Sequence, residues 1–145
     1  MPKKSPRHLA RSLAVQGIYY HKMNNVTIAE IELFLSQNCQ AVYEKSNYEL
    51  MHFLLEHAIS QYDTKLSLYT DYLHREIGDI NLIEQAILVI AAVELKDNLS
   101  VPSAVIINEA VELAKLYGAP ESYKFVNGLV DKLAANLRTE EKPKE

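Results

Sequence analysis

An all-α fold follows from three features of the sequence. Apolar residues recur at three- and four-residue spacing over most of the chain, strictly alternating stretches bounded by turn signals are missing, and capping signals punctuate the periodic segments. With 145 residues, 48% of them hydrophobic, the chain is sized for one compact domain burying roughly 68–70% of its unfolded surface. Four glycines and five prolines exclude a collagen-like or low-complexity polymer, and the aliphatic content is too high for a disordered chain.

The first helix is expected over Pro6 to Lys22, with Leu9, Leu13, Gln16 and Tyr20 on one face, Pro6 in a first turn where its missing amide costs nothing, and Asn24 and Asn25 as terminators. Thr27 and Glu30 have capping-box spacing before the stripe Ile28, Ile31, Leu35, and Ser46 with Glu49 repeats the device before Leu50, Phe53, Leu54 and Ala58. A fourth helix is predicted from Asp63 to Ile77, carrying Leu66, Tyr69, Leu73 and Ile77, with Gly78 as a left-handed C-terminal cap. Asn81 and Glu84 open a fifth, apolar on almost every side from Leu82 to Leu95, which suits the central helix of a bundle. A sixth begins near Pro102, carries Ile106, Ala110, Leu113 and Tyr117, and ends at Gly118. The last runs from Glu121 to Leu137 with Phe125, Leu129, Leu133 and Leu137 four apart. Seven helices result, in a single domain over 1–138 followed by a charged, mobile tail over 139–145.

Several functional classes lack support. The single cysteine, Cys39, cannot form an intramolecular disulfide, and no signal core follows the basic start, so a cytoplasmic location is expected. The longest uncharged apolar run, Ala86 to Val93, falls far short of the ~20 residues a membrane helix needs. Five scattered histidines show no i, i+3 or i, i+4 pairing for a metal, and no cofactor is expected. Phosphate-cradling glycine motifs and a nucleophile elbow are missing, so the chain reads as a binding protein and not an enzyme.

Charge distribution is more telling than its sum. The first eleven residues hold Lys3, Lys4, Arg7 and Arg11 with no acid, leaving −8 on the rest of a chain whose net charge is −4. A basic arm on an acidic body can be a solvated terminus, or it can grip a polyanion and gain entropy by releasing counterions. Tyr19 lies eight residues after Arg11, about 12 Å along a helix, so a cation and an aromatic ring can share one ridge suited to single-stranded RNA.

A family resemblance is carried by Ala86-Ile87-Leu88 through Ala91-Ala92-Val93-Glu94-Leu95, by Val101-Pro102, by Ile107-Asn108-Glu109-Ala110-Val111-Glu112-Leu113-Ala114-Lys115, and by Gly118-Ala119 with Lys124-Phe125-Val126-Asn127-Gly128-Leu129-Val130-Asp131-Lys132. Together with Arg7, Ala10-Arg11, Ala14, Gln16 and Tyr19, these stretches resemble the NusB family of transcription antitermination factors over nearly the whole chain, most weakly between residues 24 and 80. The resemblance implies an all-helical domain of two small bundles that binds the boxA element of nascent RNA. It implies partnership with NusE, a small-subunit ribosomal protein, in RNA polymerase elongation complexes that read through terminators, notably on ribosomal RNA operons.

By position, the resemblance implies RNA contacts from Arg7, Arg11, Gln16 and Tyr19, joined by Lys3 and Lys4 of the basic arm, and from Glu121, Lys124, Phe125 and Asn127 on the last helix. It assigns Glu84 to the basic partner NusE. Each position also has a structural reading: Gln16 bonding internal backbone, Phe125 in the core, Asn127 bridging helices, Glu84 completing a capping box. The chain departs from the family pattern in its interrupted arginine run, which implies weaker intrinsic RNA affinity, and in Val89 where an arginine is usual and Val93 where an aromatic is usual, which removes a surface or partner contact the family pattern would supply. Gly17, inside the first helix, should cost about 1 kcal/mol relative to alanine unless a close approach requires it. Four phosphate contacts predict a log-affinity slope against log salt of about −2.8. The alternative is a helical interaction module or homodimer whose arm meets no RNA at rest.

Overall fold

The computed structural model describes residues 4–141, and within them every regular element is helical. Eight α-helices follow in order: α1 (Pro6–Asn24), α2 (Ile28–Asn38), α3 (Gln40–Lys45), α4 (Tyr48–Ser60), α5 (Tyr62–Ser67), α6 (Leu82–Asp97), α7 (Ser103–Tyr117) and α8 (Ser122–Leu137). The chain divides into two compact units, the first through Tyr62 and the second from Asp63.

In the first unit α1 packs against α2, α3 and α4. Its stripe of Ala10, Leu13, Ala14, Val15 and Ile18 is buried, as are Ile31 and Leu35 of α2 and Met51, Leu54, Leu55 and Ala58 of α4. The Ser5 hydroxyl accepts from the His8 amide at 3.1 Å, Pro6 occupies the first turn, and the amide of Asn47 donates to the Pro6 carbonyl at 2.9 Å, which ties the start of α4 to the start of α1. Asn25 closes α1 in the left-handed region, with φ of 50°. A Cβ on Gly17 would stand 2.7 Å from a Leu55 methyl and 2.9 Å from an Ile31 methyl, so close helix approach is what this glycine permits.

One helix start differs from expectation here and another matches it. The cap of α4 is Asn47, whose side chain accepts from the Leu50 amide at 3.0 Å, while Ser46 turns back to the Tyr43 carbonyl and closes the short α3. At α2 the expected cap forms: the Thr27 hydroxyl accepts from the Glu30 amide at 3.2 Å and donates to the Glu30 carboxylate at 3.1 Å.

In the second unit α6, α7 and α8 pack mutually. Residues 86–95 of α6 are all buried, against core contributions from Ile106, Ala110 and Leu113 of α7 and Val126, Leu129, Val130 and Leu133 of α8. The continuous helix predicted over 63–77 is instead the short α5 followed by two 3-10 turns, Thr70–Tyr72 and Ile77–Asp79. Tyr69 explains part of the break: it is fully buried and its hydroxyl donates to the Leu88 carbonyl at 2.7 Å, a tertiary contact that outweighs local propensity. Gly78 sits inside the second turn, and no described glycine has positive φ. Gly118 likewise caps α7 in an extended conformation. A Cβ there would meet the Ala114 carbonyl oxygen and Ser122 Cβ at 2.7 Å each, so the tight α7–α8 connection requires its hydrogen.

Arg138, just after α8, is buried and donates to the carbonyls of Glu94, Leu95 and Asn98 at the C-terminal end of α6 and of Val101 in the loop that follows. Glu141 bonds Arg138 at 2.9 Å and the Ser103 amide at 3.1 Å, and the Ser103 hydroxyl beside it holds its carboxyl below the usual range. No helix of the described residues is long and apolar enough to cross a membrane.

Candidate nucleic-acid interface

Two regions carry the residues singled out in the sequence, one in each unit. In the first, Lys4 and Arg7 are exposed at the N-terminal end of α1, whose first turn contains no acidic residue. The helix dipole already makes that end electropositive, so the two side chains add charge where anions are favoured. Lys45, at the end of α3, lines a cleft of about 490 Å³ with Lys4, Pro6 and Leu9. Its contribution could not be anticipated from the sequence, because Lys45 reaches the arm only through the packing of α3 on α1. Lys3 lies outside the described residues.

Farther along α1 the expected ridge is interrupted. Tyr19 is 40% exposed, as stacking on a base requires, but Arg11 is only 3% exposed. The reason is helical phase: Arg11 stands one turn before Ala14 and Val15 and two before Ile18, all buried, so it belongs to the inward stripe. This corrects the expectation of a continuous cationic ridge, because a buried guanidinium does not offer its donors to an RNA phosphate. Gln16 is half-buried and its side-chain oxygen accepts from the Cys39 thiol at 3.4 Å, which favours its structural role.

In the second unit, helical phase divides the residues expected to share one RNA strand. Phe125 and Asn127 project about 160° apart around α8. Phe125 is half-buried beneath the Arg75 guanidinium, 4.1 Å from its ring, while Lys124 and Asn127 are exposed and line a groove between α7 and α8. Glu121 stands at the cap position of α8 without a side-chain capping bond, and its carboxylate lies 3.2 Å from Lys124.

Glu84, expected to face a basic partner, is 6% exposed. One carboxylate oxygen accepts from the Ser122 hydroxyl at 2.8 Å and the other lies 3.8 Å from Arg75. The carboxylate therefore joins the first turn of α6 to that of α8. The Glu84 amide still donates to the capping Asn81 side-chain oxygen at 2.8 Å, so one half of the predicted capping box forms and the side-chain half is diverted. Arg75, the bridge between Phe125 and Glu84, went unnoticed in the sequence because it lies in the segment assigned to a continuous helix.

Among the described residues no cluster of three or more His, Cys, Asp or Glu side chains is arranged to hold a metal ion. What the fold and these sites define is an all-helical protein that displays cationic and aromatic groups on helix ends and open surfaces. Comparison with known proteins makes the class specific. The model of the NusB family matches residues 8–135. The transcription antitermination protein NusB of Burkholderia lata is 42% identical over 139 residues, spanning 96% of this chain and 94% of that protein. The protein of the same name from Aromatoleum aromaticum is 40% identical over 141 residues, spanning 97% and 96%. The solved structure of T. maritima NusB shares the fold, with a TM-score of 0.74 over 92% of this chain and 93% of that one at 24% identity. This chain belongs to the NusB family.

Proposed function

We propose that the chain is a cytoplasmic transcription antitermination factor that acts by binding and not by catalysis. It grips boxA-type single-stranded RNA together with NusE, within RNA polymerase elongation complexes that read through terminators, notably on ribosomal RNA operons. Family membership over residues 8–135 carries this reading. The exposed Lys4 and Arg7 at the electropositive end of α1 supply its mechanism. Phosphates are held there by charge-assisted bonds, and Tyr19 offers a ring to an unstacked base. Arg11 and Gln16 position α1 in this reading and leave direct contact to Lys4, Arg7 and Tyr19. On α8, Lys124 and Asn127 are the open contacts, with Glu121 and Phe125 at their flank. With the arm occupied by RNA, the acidic remainder provides a complementary surface for a basic partner such as NusE, and Glu84 shapes that surface from beneath.

The test is a titration of fluorescently labelled boxA-type RNA, with and without NusE, against wild type and Lys4→Ala/Arg7→Ala. The double variant is expected to bind at least about tenfold more weakly in both conditions. Equal affinity in both, or a homodimer whose size RNA leaves unchanged, would overturn the reading in favour of an interaction module.

A further inference from the structure

The groove between α7 and α8 has a volume of about 540 Å³ and combines three kinds of surface. Ile107 and Val111, one turn apart on α7, form an apolar floor beside the core stripe of that helix. Asn108 and Asn127 contribute amides from opposite walls. At one end two ammonium groups approach the Tyr123 ring, Lys115 Nζ 5.2 Å and Lys124 Nζ 6.0 Å from its centroid. No carboxylate is among the lining residues, although Glu121 approaches Lys124 from outside.

Each surface matches one part of a nucleotide. Ammonium groups take phosphate, an aromatic ring beside an apolar floor takes the flat face of a base, and primary amides both donate to and accept from base edges. A purely apolar ligand would make no use of the two lysines and two amides, and a simple anion would leave the floor unused. The Glu121–Lys124 pair is an exposed contact that a phosphate can replace with little loss.

We propose that this groove is a nucleotide subsite for single-stranded RNA, with Lys115 and Tyr123 as its principal contacts. It rests on the RNA-binding reading and extends it to a face of α8 that Phe125 does not share. Residues Lys124 and Asn127 then belong to this subsite, while Phe125, under Arg75, belongs to another surface.

The experiment follows backbone amide resonances of the full chain during titration with uridine 5′-monophosphate and, separately, inorganic phosphate. Lys115→Glu and Tyr123→Leu serve as variants, and boxA-type RNA binding is measured in parallel. The nucleotide is expected to shift Asn108, Lys115, Tyr123 and Asn127 together, with phosphate moving only the lysine end. Lys115→Glu should weaken nucleotide binding at least about fivefold while its spectrum stays dispersed elsewhere. Unmoved groove resonances, or identical shifts from phosphate alone, would overturn the subsite. If groove variants bind boxA-type RNA like wild type while Lys4→Ala/Arg7→Ala does not, the subsite fails and the antitermination reading stands.

Discussion

The first turns of α1 and α6 present opposite solutions to the same electrostatic problem. α6 opens with an Asn81 cap and an acidic Glu84, as α2 and α4 open with Glu30 and Glu49. Each follows the rule that negative charge stabilises a helix N-terminus. α1 opens with Arg7, no acid, and Lys4 just outside. The exposed, cationic start of α1 contrasts with α6, which opens on an acid and is buried from residue 86 to 95. On the proposed RNA-binding reading, α1 gives up local helix stability for anion binding, whereas α2, α4 and α6 keep their acidic first turns.

Substitutions that act on this contrast should separate cleanly. The largest effect is expected in the scaffold: Leu88→Ala removes a fully buried side chain from α6 and should lower unfolding free energy by about 3–4 kcal/mol in a urea titration. Gly17→Val follows at about 2–3 kcal/mol, because its methyl groups would enter space already held by Leu55 and Ile31. Its fitted urea midpoint should fall even though valine lowers chain entropy in the unfolded state. Arg7→Glu reverses the sign: replacing a cation by an anion in the first turn of α1 should raise stability by about 0.3–1 kcal/mol while RNA affinity falls by an order of magnitude or more. A variant that loses both would return Arg7 to the scaffold.

The smallest effect concerns a cluster on the surface of the first unit. His52 bonds Glu32 at 2.5 Å through Nδ1 and lies 3.1 Å from Glu56 through Nε2, while the Tyr48 hydroxyl donates to Glu32 at 2.7 Å. The hydrogen bond to Glu32 raises the His52 pKa above its ordinary 6.5, and the same carboxylate pushes Tyr48 up to about 12, with Tyr43 also raised, mainly by burial. Protonated His52 therefore stabilises the α2–α4 contact fully below pH 6.5, and that contribution disappears as pH rises through the higher folded-state value. Since the His52 side chain is 41% exposed and its ion pairs are screened by solvent, His52→Gln should lose less than about 1 kcal/mol at pH 6 and almost nothing at pH 9. An equal loss at both values would assign the effect to packing.

Sequence reading succeeded where helix signals are local. The starts of α2 and α6 were legible because a capping side chain lies three residues from the amide it serves, and α6 to α8 because their apolar periodicity is long. It failed over 63–77, where spacings of three and four fit both an α-helix and successive 3-10 turns, and the buried Tyr69 hydroxyl decides between them through a contact nineteen residues away. At the candidate site the same limit appears. Arg7 and Tyr19 were identified from charge and chemistry, yet Arg11 has the same chemistry and the phase of Val15 and Ile18. Weighing that phase against charge would have moved Arg11 inward. Lys45, Arg75 and the inward turn of Glu84 depend on tertiary packing and left no mark in the local sequence.

The most direct test of the division between contact and scaffold is the salt dependence of boxA-type RNA binding. With Arg11 withdrawn, the arm's other three cations, Lys3, Lys4 and Arg7, contribute about −2.1 to the slope of log affinity against log salt, to which Lys115 and Lys124 add. Arg7→Ala should make that slope shallower by about 0.7, whereas a folded Arg11→Met should leave it unchanged. A slope that Arg11→Met reduces and Arg7→Ala does not would contradict the account.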